Sequence, residues 1–289
     1  MITKQIEDAF FNNYLEFFKQ AEERRRWNIW KDIPWQNANK TAGEDVAEVV
    51  EFFSSVEMFL PDYTAKILHL VRESRGRAWF QANWGYEESK HSLALAEWLV
   101  RSGYRGEGDL RNYENALLEN GEWELPYDHP CSMIVYTMIQ ERATQLSYIN
   151  LRKFVVTRGD ETLARVLQLV AADEAAHYTF FRNNVKMLMR EAKDDMIERL
   201  KTVFRTFKMP GFALVPDSYA KSEKINQLGI YGFKDYYKGV YLAILAELEL
   251  TVEELKYLNA PKISIEKATK REEMKNSRNP IFSLPSVTI

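Results

Sequence analysis

Two short strings constrain this chain more than anything else in it: Glu87-Glu88-Ser89-Lys90-His91 and Asp173-Glu174-Ala175-Ala176-His177. Each sets a glutamate three residues before a histidine, with a second acid directly ahead of the glutamate. On an α-helix, residues three apart share a face, with Cβ atoms about 5–6 Å apart. Glu88 and His91 can therefore grip one ion, and Glu174 and His177 another. The plainer reading is a solvated acid–base pair on each helix. The neighbours argue against it. Glu174 and His177 fall inside an apolar stripe (Leu163, Val166, Leu167, Val170, Phe180, Phe181, Val185), not opposite it.

The periodicity predicts an all-α chain. Helices are expected over 3–30, from Glu44 with strain or a kink at Pro61, over 72–102 ended by Gly103, and briefly near 110–119. Further helices are expected over 130–157, 160–191 and 194–207, with shorter ones near 217–228, 234–247 and 251–257. Glu57 lies against the stripe Val46, Val49, Val50, Phe53, Val56 and Leu60, beside the Pro61 break. Glu141 stands mid-helix in a segment that is apolar on most sides, with Thr144 one turn on. Thr144 is as well explained by a hydroxyl bonding back to its own helix. His69 reads as structural and His129 as a loop residue at a helix start. Arg24–Arg26 reads as a solvated face or a landing site for an acidic partner.

One Glu-x-x-His from each of two helices, plus one Glu from each of two more, is the ligand set of ferritin-like di-iron or di-manganese bundles. Glu57, Glu88, Glu141 and Glu174 carry four negative charges, which two divalent ions neutralise. Carboxylate and imidazole ligands suit iron or manganese. Asp173 and Glu87 are placed to accept the free ring N–H of a ligand histidine, on their own helix or the facing one.

Composition sets outer limits. At 289 residues the chain is at the upper end of a single domain, and 46% hydrophobic content supplies a large core. A net charge of −3 argues against bulk nucleic-acid binding. A lone cysteine, Cys131, rules out an internal disulfide and fits a reducing compartment. No signal-peptide core opens the chain, and no apolar run approaches the roughly 18 residues that span a membrane. A cytoplasmic protein is expected, with one domain over 1–260 and a tail over 261–289 that packs on the surface or stays partly flexible.

With these residues in place, the chain resembles the soluble acyl-acyl-carrier-protein desaturases, in a bacterial form, over roughly residues 25–260. The resemblance rests on Glu57 in Glu-Met-Phe-Leu-Pro, Glu88 and His91 in Glu-Glu-Ser-Lys-His, and Glu141 in Glu-Arg-Ala-Thr. Glu174 and His177 in Asp-Glu-Ala-Ala-His, Lys208-Met209-Pro210 and Gly229-Ile230-Tyr231 complete it. It implies a ferritin-like four-helix bundle with added helices, and a centre of two Fe(2+) ions, with manganese as a possible substitute. It implies O2 as co-substrate, a ferredoxin-type donor of two electrons, and a cis double bond placed in an acyl chain on acyl carrier protein. A homodimer is also implied. By the same resemblance Thr144 assists proton delivery, and Asp173 bonds His91 and links it to Trp27 as an electron route, with Trp30 as competitor. For the carrier, Arg24–Arg26, Arg101, Arg105, Lys186 and Arg190 are contacts by charge alone. The competing reading is another di-iron oxygenase, an N-oxygenase or hydroxylase, using the same ligands.

Overall fold

Thr3 starts the first helix by accepting the Ile6 N–H on its hydroxyl, 3.3 Å away. This helix, α1 (Lys4–Gln20), runs into a π-helical turn, Ala21–Arg25, and stops there, short of the residue-30 end expected from periodicity. The structure is a computed structural model that describes residues 3–119 and 121–255. The tail expected over 261–289 lies outside the described residues.

Pro61 acts as foreseen but produces a break rather than a kink. The second helix ends at Glu57 (α2, Glu44–Glu57) and a new one starts at Leu60 (α3, Leu60–Leu70), with Pro61 in its first turn. The Tyr63 hydroxyl donates to the Val56 carbonyl at 2.9 Å, satisfying part of the exposed helix end. Glu57 thus stands on the last turn of α2, beside the interruption.

Three long helices follow: α4 (Arg75–Arg101), α6 (Pro130–Arg158) and α7 (Glu161–Glu191), with the shorter α5 (Glu107–Glu119) between the first two. Gly103 and Gly159 take the left-handed conformation that closes α4 and α6, with φ of +79° and +80°. Asp160 then caps α7, its Oδ1 accepting the Leu163 N–H at 2.8 Å while its Oδ2 accepts from Trp98 Nε1 at 3.1 Å. So short a link forces α6 and α7 into an antiparallel pair, the most extensive helix contact in the molecule. His129, as expected, is a non-helical residue at a helix start: it is the N-cap of α6, with Nδ1 accepting the Cys131 N–H at 3.1 Å.

The bundle is α2, α4, α6 and α7: α2 packs on α4, α4 on α7, and α7 on α6. Helix α1 lies across α4 and α7, and α8 (Lys193–Thr206) covers α6 and α7. The rest is shorter: α9 (Ser218–Gln227), then Phe233–Asp235, a π-helical segment Tyr236–Tyr241 and Leu242–Glu247.

The crossing of α1 over α4 depends on Gly76. A Cβ there would come within 2.5 Å of the Phe10 carbonyl carbon and the Phe11 nitrogen, both backbone. Gly76→Ala is therefore expected to cost about 1–3 kcal/mol through forced separation of the two helices. Gly108→Ala, where a Cβ meets nothing within 4 Å, serves as the control and should be neutral or mildly stabilising. Chemical denaturation of the two variants reads the difference.

Candidate metal centre

The four bundle helices bring the six expected ligand residues to one place. Glu57 comes from α2, Glu88 and His91 from α4, Glu141 from α6, and Glu174 and His177 from α7. All six are buried; His91, Glu141 and His177 are fully so. Their donor atoms fall into two quartets, each with its atoms within 4.8 Å of one another. One is Glu57, Glu88, His91 and Glu174; the other is Glu88, Glu141, Glu174 and His177. Glu88 and Glu174 belong to both, so each quartet has one carboxylate and one histidine of its own and two carboxylates in common.

Each imidazole turns Nδ1 inward. His91 Nδ1 lies 3.0 Å from Glu88 Oε2 and 3.5 Å from Glu174 Oε1. His177 Nδ1 lies 2.9 Å from Glu88 Oε1 and 3.5 Å from Glu141 Oε2, but neither approach has the geometry of a hydrogen bond. Glu88 Oε1, Glu141 Oε2 and His177 Nδ1 are all buried without a hydrogen-bond partner. Three orphaned donor atoms converging from three helices fit a metal cation. The donor set of oxygens with one nitrogen per quartet fits iron or manganese.

Outside the quartets the acids ahead of each motif cross over. His91 Nε2 on α4 faces Asp173 Oδ2 on α7 at 3.3 Å, and His177 Nε2 on α7 faces Glu87 Oε2 on α4 at 2.8 Å. Sequence left open whether each acid served its own helix or the facing one; both serve the facing one. Trp27 Nε1 donates to Asp173 Oδ2 at 2.7 Å, so the predicted Trp27–Asp173–His91 chain exists as geometry. Trp30, the competitor, is 61% exposed and makes no such contact.

The arginine run is not the solvated face it resembles. Arg25 bridges both outer acids, with Nη1 2.9 Å from Glu87 Oε2 and a second contact to Asp173. Arg26 Nη1 donates to Glu87 Oε1 at 2.7 Å. Only Arg24 of the three is exposed, so two of the proposed carrier contacts are turned inward. Arg105 is engaged with Glu44 and Glu51, and Arg101 with Glu97. Arg25 stands four residues beyond buried Ala21, on the face of α1 that carries Tyr14 and Phe17 into the bundle.

Tyr148 and Trp84 are site residues that sequence reading missed. The Tyr148 hydroxyl donates to Glu57 Oε1 at 2.8 Å, and Trp84 Nε1 donates to Glu141 Oε1 at 3.0 Å. A signal was present: Tyr148 is two turns beyond Glu141, and Trp84 one turn before Glu88, each on the inward face. Thr144 follows its plainer reading, its hydroxyl directed to the Gln140 and Glu141 carbonyls, both at 3.1 Å. It nonetheless lines a cavity with Glu57, Tyr148, Phe52, Phe53 and Phe212. That cavity is largely apolar, with about 370 Å³ of space, part of it open to solvent.

The charges oppose one another until a cation joins them. Burial pushes Glu57 and Glu141 well above the carboxylate range, with the charge of Glu174 adding to both and that of Glu88 to Glu57. Burial disfavours charged rings at His91 and His177, yet the acids around them overcome it and hold both well above the usual histidine value. Burial would also raise Glu87, but His177 and Arg25 hold it well below the usual range. A metal must displace whatever protons these four raised groups hold. Those protons leave more readily as pH rises. Apparent affinity for a divalent metal is therefore expected to rise between about pH 6 and about pH 8, with net proton release. Titration calorimetry in two buffers of different ionisation enthalpy checks the release; unchanged heats contradict it.

A model of the fatty acid desaturase family matches residues 13–267. The chain belongs to the fatty acid desaturase family. Among curated relatives, the desaturase-family chain is 29% identical over 268 residues to stearoyl-[acyl-carrier-protein] 9-desaturase 2, chloroplastic, of Arabidopsis thaliana. That match covers 81% of this chain and 63% of the relative, so it spans less than two thirds of the relative's length. Among solved structures, DesA2 of Mycobacterium tuberculosis H37Rv, assigned as an acyl-ACP desaturase, superposes with a TM-score of 0.59 at 17% identity. It covers 85% of this chain and 98% of DesA2. An R2-like ligand-binding oxidase with a Mn/Fe cofactor superposes with a TM-score of 0.56 at 19% identity, over 85% and 92% of the two chains. The family and the ferritin-like all-α fold expected from the sequence are thus borne out. No helix among the described residues is long and apolar enough to cross a membrane.

Proposed function

We propose that this desaturase-family chain uses a di-iron centre and O2 to place a cis double bond in an acyl chain carried on acyl carrier protein. Two electrons would come from a ferredoxin-type donor. The observation that carries this reading is the pair of quartets sharing Glu88 and Glu174, in a family whose curated relatives include acyl-carrier-protein desaturases. Overall, –CH2–CH2– with O2, two electrons and two protons gives –CH=CH– and two waters; the four electrons taken by O2 come half from substrate and half from the donor.

Glu57, Glu88 and His91 with Glu174 would hold one ion, and Glu141 and His177 with the shared pair the other. The bound pair would supply the redox capacity for O2 reduction. The protein's own groups do the rest. Asp173 and Glu87 accept the Nε2 protons of His91 and His177, which leaves each Nδ1 free to face the quartets. His177 at Glu87 and His91 at Asp173, each joined by Arg25, lower both acids below their usual range. Tyr148 and Trp84 fix the two unshared carboxylates. Phe52, Phe53 and Phe212 line an apolar space beside Glu57 where an alkyl chain would exclude water, and Thr144, which also lines it, would have to release its hydroxyl from the Gln140 and Glu141 carbonyls to pass on a proton. The cytoplasmic setting and the homodimer belong to the same proposal.

The second reading, another di-iron or Mn/Fe oxygenase, is favoured by the fold shared with the R2-like oxidase. Only products separate the two. Acyl carrier proteins bearing chains of several lengths, incubated with iron-loaded protein, a reducing system and O2, are expected to lose two hydrogens, as read by mass spectrometry. Gain of one oxygen in place of that loss would favour the oxygenase.

A further inference from the structure

Helix α4 is apolar on two opposite sides. Inward it turns Trp84, His91 and Trp98, seven apart and all buried. Outward it turns Trp79, Tyr86 and Leu93, also seven apart, which are 49%, 56% and 54% exposed. Val100 continues that line and is part-exposed. Ala82, Ser89 and Ala96 stand three residues on from each of the first three. The outer stripe is thus a heptad seam, with large residues at one seam position and small ones at the other. No charged residue interrupts it from Trp79 to Val100. A surface helix normally shows water a polar face, and one that is apolar on both sides is covered on both.

The face is wider than one helix. Trp79 meets Tyr14 of α1 edge-on, 6.2 Å between centroids. Arg26 lies between Phe18 and Tyr86, 5.8 and 5.3 Å from their ring centres. Phe18 and Leu15 of α1 are themselves exposed. The seam from Trp79 to Val100 is about 32 Å long, and two helices side by side are about 20 Å wide. Covering this face with a like surface buries on the order of 1,200 Å² in all, the lower limit for a stable interface.

The order of sizes selects the occupant. In a parallel pair of such helices, large residues meet large and small meet small, which leaves crowded and empty layers in turn. Reversing one helix sets each large position beside a small one, as close packing requires. Turned about the point midway between Glu87 and Glu88, every layer of the stripe obeys this. Trp79 then lies beside the partner's Ala96, Tyr86 beside the partner's Ser89 and Leu93 beside the partner's Ala82. Two identical helices paired in this way are related by a two-fold axis, which closes as a dimer.

We propose that the outer stripe of α4 is a docking surface for a second copy of this chain, laid antiparallel across a two-fold axis. It is the interface of the homodimer included in the function proposed above, and rests on that part of the reading and not on its chemistry. Sedimentation velocity of the iron-loaded chain at micromolar concentrations is expected to give a dimer. Leu93→Glu sets a charge into the seam twice, once from each copy, and should weaken association about 100-fold or more, leaving a monomer. Val156→Glu, at an exposed position of α6 away from the stripe, should stay dimeric. Helicity and iron content equal to the unaltered chain certify that both variants fold. Ser89→Cys should be joined into a dimer by a short bis-maleimide, whereas Val156→Cys should not; buried Cys131 is common to both. Alkene formation from carrier-bound chains is read separately on the same samples. A dimer joined at position 89 that makes no alkene keeps the interface and rejects the desaturase reading; a monomer that makes alkene does the reverse. An unaltered chain that is monomeric, as it would be if a different protein covers the stripe, overturns the proposal. So does a dimer that Leu93→Glu leaves intact, or one cross-linked through position 156 in place of 89.

Discussion

Glu88→Gln protein, loaded anaerobically with excess ferrous iron, is expected to hold close to no iron and to show no turnover. Glu57→Gln should hold about one iron per chain where the unaltered chain holds about two. The asymmetry follows from the geometry. Glu88 supplies a donor atom to both quartets, whereas Glu57 supplies one to the first and leaves Glu88, Glu141, Glu174 and His177 complete. Glutamine keeps the volume and an amide oxygen but removes the charge, so the change reads coordination and neutralisation rather than packing. The metal-free site crowds carboxylates whose burial, and then whose repulsion, raises Glu57 and Glu141 toward their protonated forms. Removing one charge relieves that strain. Equal iron content in the two variants would mean that the quartets do not share Glu88.

The second large effect belongs to the outer layer. Asp173→Asn is expected to lower metal affinity or turnover by about 10–100-fold, although Asp173 is in neither quartet. Its carboxylate receives His91 Nε2, Trp27 Nε1 and Arg25 at once, and is held below the usual aspartate range against the opposing effect of burial. An amide there removes the charge that Arg25 answers and offers N–H groups where only acceptors fit. Trp27→Phe tests a different link. It deletes the indole donor but leaves Asp173 on His91, so iron content should stay while reduction by the donor slows by about tenfold. Stopped-flow reduction alongside iron analysis separates the two. An Asp173→Asn chain indistinguishable from the original would reduce this layer to packing.

How much of this the sequence carried can be argued residue by residue. That the six candidate side chains would meet was legible because a carboxylate or imidazole inside an apolar stripe needs a partner, and spacing of three sets each Glu–His pair on one face. Helix ends were legible at Gly103, Gly159 and Asp160, where left-handed backbone and a side-chain cap have local signatures. What crosses between helices was not. Periodicity gives the face of α4 that holds Glu87 but not that His177 of α7 lies opposite it. Tyr148 and Trp84 were hidden because an aromatic on an inward face reads as core until its polar atom finds a carboxylate. Arg25 was misread for a further reason. A run of three arginines reads as surface when taken together, whereas Arg25 alone continues the buried positions Tyr14, Phe17 and Ala21 of the first helix. The break after Glu57 followed from Pro61, but its form is two helices rather than one bent helix, with the Tyr63 hydroxyl reaching back to the Val56 carbonyl across the gap.

The most direct measurement is anomalous diffraction at the iron edge from crystals of the iron-loaded chain. Two peaks are predicted, one within reach of Glu57 and His91, the other within reach of Glu141 and His177, with Glu88 and Glu174 between them. A single peak, or iron bound anywhere but among these six side chains, would contradict the account.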